Sequence, residues 1–132
     1  MTRCNLIPVE ELSDQHLLAE HREIKRIPNV IVSGKYSLTN IPDNYTMGEG
    51  HVKFFYNKLA WLIVRYAQLH GECFKRGFEV DNYLSAWDNV PDELFKPWRP
   101  TEYDIRVSRT RIAEKIFQKD ICQQKGFYRW SK

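Results

Sequence analysis

Long hydrophobic runs are missing from this sequence of 132 residues. No stretch approaches the roughly 18 uninterrupted apolar residues of a membrane-crossing helix, so no membrane contact is expected. A charged start followed by an apolar core is missing too, and no secretory signal is expected. Cysteine is scarce: Cys4, Cys73 and Cys122 form an odd, scattered set with no CxxC pair. Such thiols read as free and reduced, which points to a cytoplasmic, intracellular setting. His70-x-x-Cys73 has helical ligand spacing but no second pair to complete a zinc site, so it reads as core. HExxH, GxSxG and paired-aspartate motifs are all absent, so a metal-dependent nuclease has little support. Gly48-Glu49-Gly50 before His51 lacks the Lys-Ser/Thr and the preceding strand of a phosphate loop, and reads as a helix entry. Internal repeats and low-complexity segments are absent as well.

What remains is a chain with 42% hydrophobic and 14% aromatic residues, enough to build a core without disulfides. One domain over residues 1–132 is expected. The net charge of +3 and pI near 8.8 are compatible with a polyanionic partner but do not single one out.

Three helical stretches organise the chain. The first runs from Ser13, an N-cap candidate, to about Ile27, where Pro28 is expected to stop it. At about 100° per residue, Leu17, Leu18, His21 and Ile24 share its core side. His16, Ala19, Arg22, Glu23 and Arg26 share the other. The second runs from His51 to Arg76 with Gly77 as C-cap, and its apolar residues cover most of the circumference, as in a central buried helix. The third begins after Pro100-Thr101, with Asp104 closing a capping-box variant, and runs to about Gln118 on a stripe of Ile105, Ile112 and Ile116. Arg111 and Lys115 lie one turn apart on a different face. Residues 29–50 and 78–100 read as irregular. The expected fold is mostly α: a compact single domain built on three helices, with long loops and little or no sheet.

Chemistry concentrates near the start. Thr after an initiator Met favours removal of the Met, leaving the Thr2 α-amine. An α-amine has a reference pKa of about 7.7–8.0 against about 10.4 for lysine, so near neutrality far more of it is neutral and nucleophilic. Arg3 beside it lowers that value further. Glu23, directly after Arg22 and three residues before Arg26, can stabilise a cationic intermediate or take a proton. The two arginines are suited to bidentate pairing with phosphates. In isolation, an exposed helix bearing ordinary i,i+3 salt bridges is the better explanation of these residues. The tail, Phe127, Tyr128, Arg129 and Trp130, alternates stacking surfaces with positive charge, as readers of nucleic acid do. Docking of its aromatics on the core is the competing reading.

Together these stretches resemble the pyrimidine-dimer DNA glycosylase/AP lyase family, the phage-type endonuclease V. The matching segments are Met-Thr-Arg-x-Asn-Leu at the start, LSDQHLLAEHRE at 12–23, GHVKFFYNKL at 50–59, ECFKRGF at 72–78 and SRTRIAEKI at 108–116. The resemblance implies a DNA repair enzyme that cleaves the N-glycosidic bond at UV-induced cyclobutane pyrimidine dimers. It then nicks the strand by β-elimination through a Schiff base, without metal or cofactor. By the same resemblance Thr2 is the nucleophile through its α-amine and Glu23 the catalytic carboxylate. Arg3, Arg22, Arg26, Arg111 and Lys115 hold phosphates around the lesion, and His16 lines the site. The partner implied is double-stranded DNA carrying a dimer or an abasic site, the protein a monomer of bacterial, phage or viral origin. Where the family's best-known member is longer and strongly basic, residues 29–47 here carry one lysine against one aspartate, so weak binding to undamaged DNA is expected. A glycosylase or lyase for other lesions would keep the same set. A DNA-binding module without catalysis would need neither Thr2 nor Glu23.

Overall fold

The computed structural model describes residues 3–125, with side chains as far as Gln118. Among the described residues the regular structure is helical, with no strand. Five α-helices are present: α1 (Asp14–Glu23), α2 (Arg26–Val32), α3 (His51–Phe54), α4 (Leu59–Lys75) and α5 (Glu102–Lys125). Of the three long ones, α1 and α4 pack on each other and α5 meets the body through Ser108 and Ile112, and short 3-10 turns punctuate the loops.

Ser13 starts α1 as its sequence suggests. Its backbone is extended and its Oγ accepts the His16 N–H at 3.2 Å. The helix ends earlier than expected, at Glu23, and the chain does not stop at Pro28. The proline ring would clash with the carbonyl four residues back, that of Ile24, and the break falls there, at Ile24–Lys25. The chain then restarts as α2, with Pro28 in the first turn, where a missing N–H costs nothing.

The expected single helix from His51 to Arg76 is likewise two. A 3-10 turn at Phe55–Asn57 leads to Lys58, whose φ of −128° and ψ of 37° leave the helical region. Its ammonium donates to the Phe54 carbonyl at 2.9 Å and to Asn57 Oδ1 at 3.0 Å, satisfying groups the break exposes. Gly77 closes α4 with a φ of +83°. The Gly77 N–H donates to Phe74 O at 3.0 Å and the Phe78 N–H to Cys73 O at 2.9 Å, a Schellman closure. Leu59, Leu62, Tyr66, Leu69 and Cys73 are buried, while Val64 and Phe74 are exposed. So α4 packs along one stripe and keeps an open flank, where burial all round was expected.

Thr101 and Asp104 form the reciprocal box at the start of α5, at 3.1 and 3.2 Å. That helix runs past Gln118 to Lys125. Its core stripe ends at Ile112, and Ile116 is exposed, so the expected third isoleucine contact is not made. The core gathers Leu17, Ile24 and Ile27 from the first two helices with Phe54, Phe55, Leu59, Leu62 and Leu69. It also includes Cys4, Ile7 and Val9 from the start of the chain. Among the described residues no helix is long and apolar enough to cross a membrane.

Candidate functional site at the amino-terminal segment

Residues 3–6 belong to neither helix nor sheet, yet Cys4, Asn5, Leu6 and Ile7 are all buried. Buried backbone without a ladder must find partners elsewhere. Here side chains from four parts of the fold supply them. The Cys4 N–H donates to His51 Nε2 at 2.8 Å, and Tyr45 donates its hydroxyl to the Cys4 carbonyl at 2.8 Å. The Leu6 N–H donates to Ser108 Oγ of α5 at 3.0 Å, and Arg65 of α4 donates to the Ile7 carbonyl at 2.7 Å. Asn5 donates its amide to Glu20 Oε1 at 2.9 Å.

Glu20 and Arg65 form the buried centre of this arrangement. The guanidinium pairs at 2.7 Å with Oε2 and 3.1 Å with Oε1. Burial alone would lower the Arg65 pKa, but Glu20 beside it holds it above the ordinary value. Both residues went unremarked as site residues in the sequence. A signal was there: Glu20 lies within the stripe of Leu17, His21 and Ile24, and Arg65 within that of Leu62, Tyr66 and Leu69. Opposite charges on two facing apolar stripes are a pairing signature. His51, Tyr45 and Ser108 had no such marker, because their partners are distant backbone groups.

The expected site residues distribute as follows. Thr2 lies outside the described residues, as do Phe127, Tyr128, Arg129 and Trp130. Arg3 is partly buried and donates to the Met47 carbonyl. Burial, and next the charge of Arg111, lower its pKa. Arg111, half-buried on α5, also acts on His51, so Arg3, Arg111 and His51 share one neighbourhood. Glu23 is 17% exposed at the end of α1, with Arg22 Nη2 at 3.7 Å and Arg22 itself 59% exposed. Cys4 is close enough to Glu23 for the carboxylate to add to the upward push on its thiol, after burial and Glu20. Arg26 lies across the helix break, exposed, and is not paired with Glu23 among the described ion pairs. His16 is half-buried in the first turn of α1, its Nδ1 at 2.8 Å from Ser13 Oγ. Lys115 is exposed, one turn beyond Arg111.

The buried start of the chain, Glu23 and the Arg3–Arg111 pair are thus brought together, with Arg22 beside Glu23. Two surface hollows, of about 450 Å³ beside His70 and about 520 Å³ beside His51, do not include Glu23 in their linings. Among the described residues no cluster of three or more His, Cys, Asp or Glu side chains is arranged to hold a metal ion.

The model of one known family, pyrimidine dimer DNA glycosylase, matches residues 1–85. This chain belongs to that family. The match takes in the buried amino-terminal segment, α1 with Glu20 and Glu23, the loop to His51, and α4 with Arg65. It ends before α5, so Ser108, Arg111 and Lys115 lie beyond the match. Membership makes this a DNA glycosylase of the pyrimidine-dimer class, acting on DNA that carries such dimers.

Proposed function

We propose that residues 1–132 act as one monomeric, intracellular domain that removes the base at a cyclobutane pyrimidine dimer and then cuts the strand, using the α-amine of Thr2. The observation that carries this reading is the anchored segment 4–7, buried against Glu20 of α1, with Cys4 within electrostatic reach of Glu23. Consecutive Cα atoms are about 3.8 Å apart, so an anchor at Cys4 limits how far an amine two residues earlier can stray.

In the first step the neutral amine adds to C1′ of the damaged nucleotide. A C1′–N bond forms and the glycosidic bond breaks, its electron pair leaving with the base, which takes one amine proton. Positive charge develops on the sugar in this transition state, and a Glu23 carboxylate opposes it. The sugar ring then opens, with the second amine proton passing to O4′, and C1′ becomes an imine. The imine acidifies the 2′ hydrogen. Glu23 takes that proton, the C3′–O3′ bond breaks, and the phosphate leaves, cutting the strand. Water finally hydrolyses the imine and frees the amine. Arg3, Arg22, Arg26, Arg111 and Lys115 hold phosphates, and His16 and the aromatic tail contact the DNA around the lesion.

Borohydride trapping tests the reading. Protein processed to Thr2 is incubated with duplexes carrying a thymine dimer, an abasic site or no lesion. Covalent product is expected on the first two and not on the third, and an amino-terminal extension should abolish it. Product on the abasic duplex alone contradicts dimer glycosylase action. Equal trapping by the extended protein makes a lysine the nucleophile.

A further inference from the structure

We propose that His51, with Tyr45, is a positioning residue for the amino-terminal chemistry: the loop 45–51 grips both polar groups of Cys4 and thereby aims the chain that precedes it. The inference rests on the proposed role of the Thr2 amine. Three contacts from this loop fall on two consecutive residues. Arg3 donates to Met47 O, the Cys4 N–H donates to His51 Nε2, and Tyr45 donates to the Cys4 carbonyl. The other anchors, from Glu20, Ser108 and Arg65, hold Asn5, Leu6 and Ile7 and lie further from the terminus.

The loop is itself rigidly held. His51 is 1% exposed and its Nδ1 lies 2.7 Å from Thr46 O. Because the Cys4 N–H can only donate and the Thr46 carbonyl can only accept, the ring is neutral, with its proton on Nδ1. Gly50 sits at a φ of +88°, and a Cβ there would meet Pro42 Cγ at 3.0 Å, so glycine is required at the entry to α3. Tyr45 packs edge-on against His51, Phe54 and Phe55 and stacks on Trp98, which fixes its hydroxyl. A charged imidazole would turn Nε2 into a donor facing a donor. Burial first, and then Arg3 and Arg111 against the opposing Thr46 bond, push the His51 pKa down to about 4. The grip therefore persists at every pH where an α-amine is nucleophilic.

Imine formation needs the nucleophile within about 3–3.5 Å of carbon, and a misplacement of about 1 Å can cost roughly a hundredfold. The test compares His51→Phe, His51→Gln and Tyr45→Phe with the parent. The measurements are the single-turnover rate of borohydride trapping on a saturating abasic duplex, the duplex Kd and the urea unfolding midpoint. His51→Phe should lower the trapping rate by about 10–100-fold with Kd unchanged within about twofold. Gln offers an acceptor oxygen in place of Nε2 and should restore the rate to within about threefold. Tyr45→Phe keeps the packing, loses the donor to Cys4 together with the hydroxyl's contact to Ser108, and should slow trapping several-fold. It carries the test should His51→Phe fail to fold. Trapping at the parent rate by a folded His51→Phe or by Tyr45→Phe overturns the proposal. So do losses that track the urea midpoint and are not rescued by Gln. A parent protein that does not trap at all is a different failure, that of the amine mechanism, and shows before any variant is compared.

Discussion

Two carboxylates sit three residues apart on α1, and their surroundings are opposite. Glu20 is 2% exposed, paired with Arg65 at 2.7 Å and accepting from Asn5 at 2.9 Å. Glu23 is 17% exposed, and its nearest described cation, Arg22, stands 3.7 Å away, beyond a hydrogen bond. Three residues turn the helix by about 300°, so the two side chains diverge by about 60° around its axis. That small angle separates the packed seam with α4 from the rim. Glu20 is committed to holding Asn5 and Arg65, and through them Ile7. Glu23 is the more exposed of the two and is held only by a long ion pair to Arg22, which leaves it the better placed to act on something that is not the protein. Residue type decides neither role; burial and the geometry of partners decide both.

The contrast breaks most visibly at the arginines. Arg65→Ala leaves Glu20 buried without its counter-charge and removes the donor to Ile7 O, so a loss of about 3–5 kcal/mol is expected. Arg22→Ala touches an exposed pair and should cost under about 1 kcal/mol. Urea unfolding of the two variants checks this, and equal effects would erase the distinction between seam and rim.

Acid sharpens it next. His21 and His51 are both buried, and the pKa of each is lowered from 6.5 to about 4, chiefly by burial. His21 lies 3.0 Å from His70 Nδ1, whose charge together with that of Lys25 adds to the effect. Both rings are neutral in either state above pH 6.5. As pH falls from there towards 4, the unfolded chain takes up protons that the native one refuses, so stability drains away. Each histidine contributes a slope of at most about 1.4 kcal/mol per pH unit. The urea midpoint should therefore fall steadily from pH 6.5 to 4.5. A midpoint unchanged between pH 7 and 5 contradicts the burial of these rings.

The smallest expected effects are on DNA binding at the rim. With three to five phosphates neutralised, log K should fall with log salt at a slope of about −3 to −5, and Arg22→Ala or Arg26→Ala should reduce it by about 1. Affinity should weaken alike on damaged and undamaged duplexes, because phosphate contacts carry no base information. A salt-independent affinity would take the arginines out of the interface.

Much of this was readable in the sequence, where the signal is local. Ser13, Gly77 and the Thr101–Asp104 pair mark helix ends through contacts within four or five residues, and all three are found as read. Stripes at helical spacing identified Leu17, Ile24 and Ile112 as core. The breaks at Ile24–Lys25 and Lys58 were misjudged. At the first, the proline acts four residues back rather than at its own position. At the second, a lysine side chain replaces a backbone bond to the Phe54 carbonyl. The amino-terminal segment was illegible as structure because its partners come from residues 20, 45, 51, 65 and 108. The motif that named the family is this same segment, so chemistry could be read where packing could not.

The measurement closest to the central claim sets Glu23→Gln beside the parent on one dimer-containing duplex, reading gel-shift affinity and single-turnover cleavage together. Gln keeps the size and hydrogen-bonding shape but not the charge, so fold and urea midpoint should hold. Affinity should stay level or rise slightly, since a negative charge near phosphates opposes binding. Base release and strand cleavage should both fall by at least about a hundredfold, the usual scale for a lost general base with its electrostatic role. A variant that binds and cleaves within about threefold of the parent would contradict the account and leave Glu23 an ordinary neighbour of Arg22.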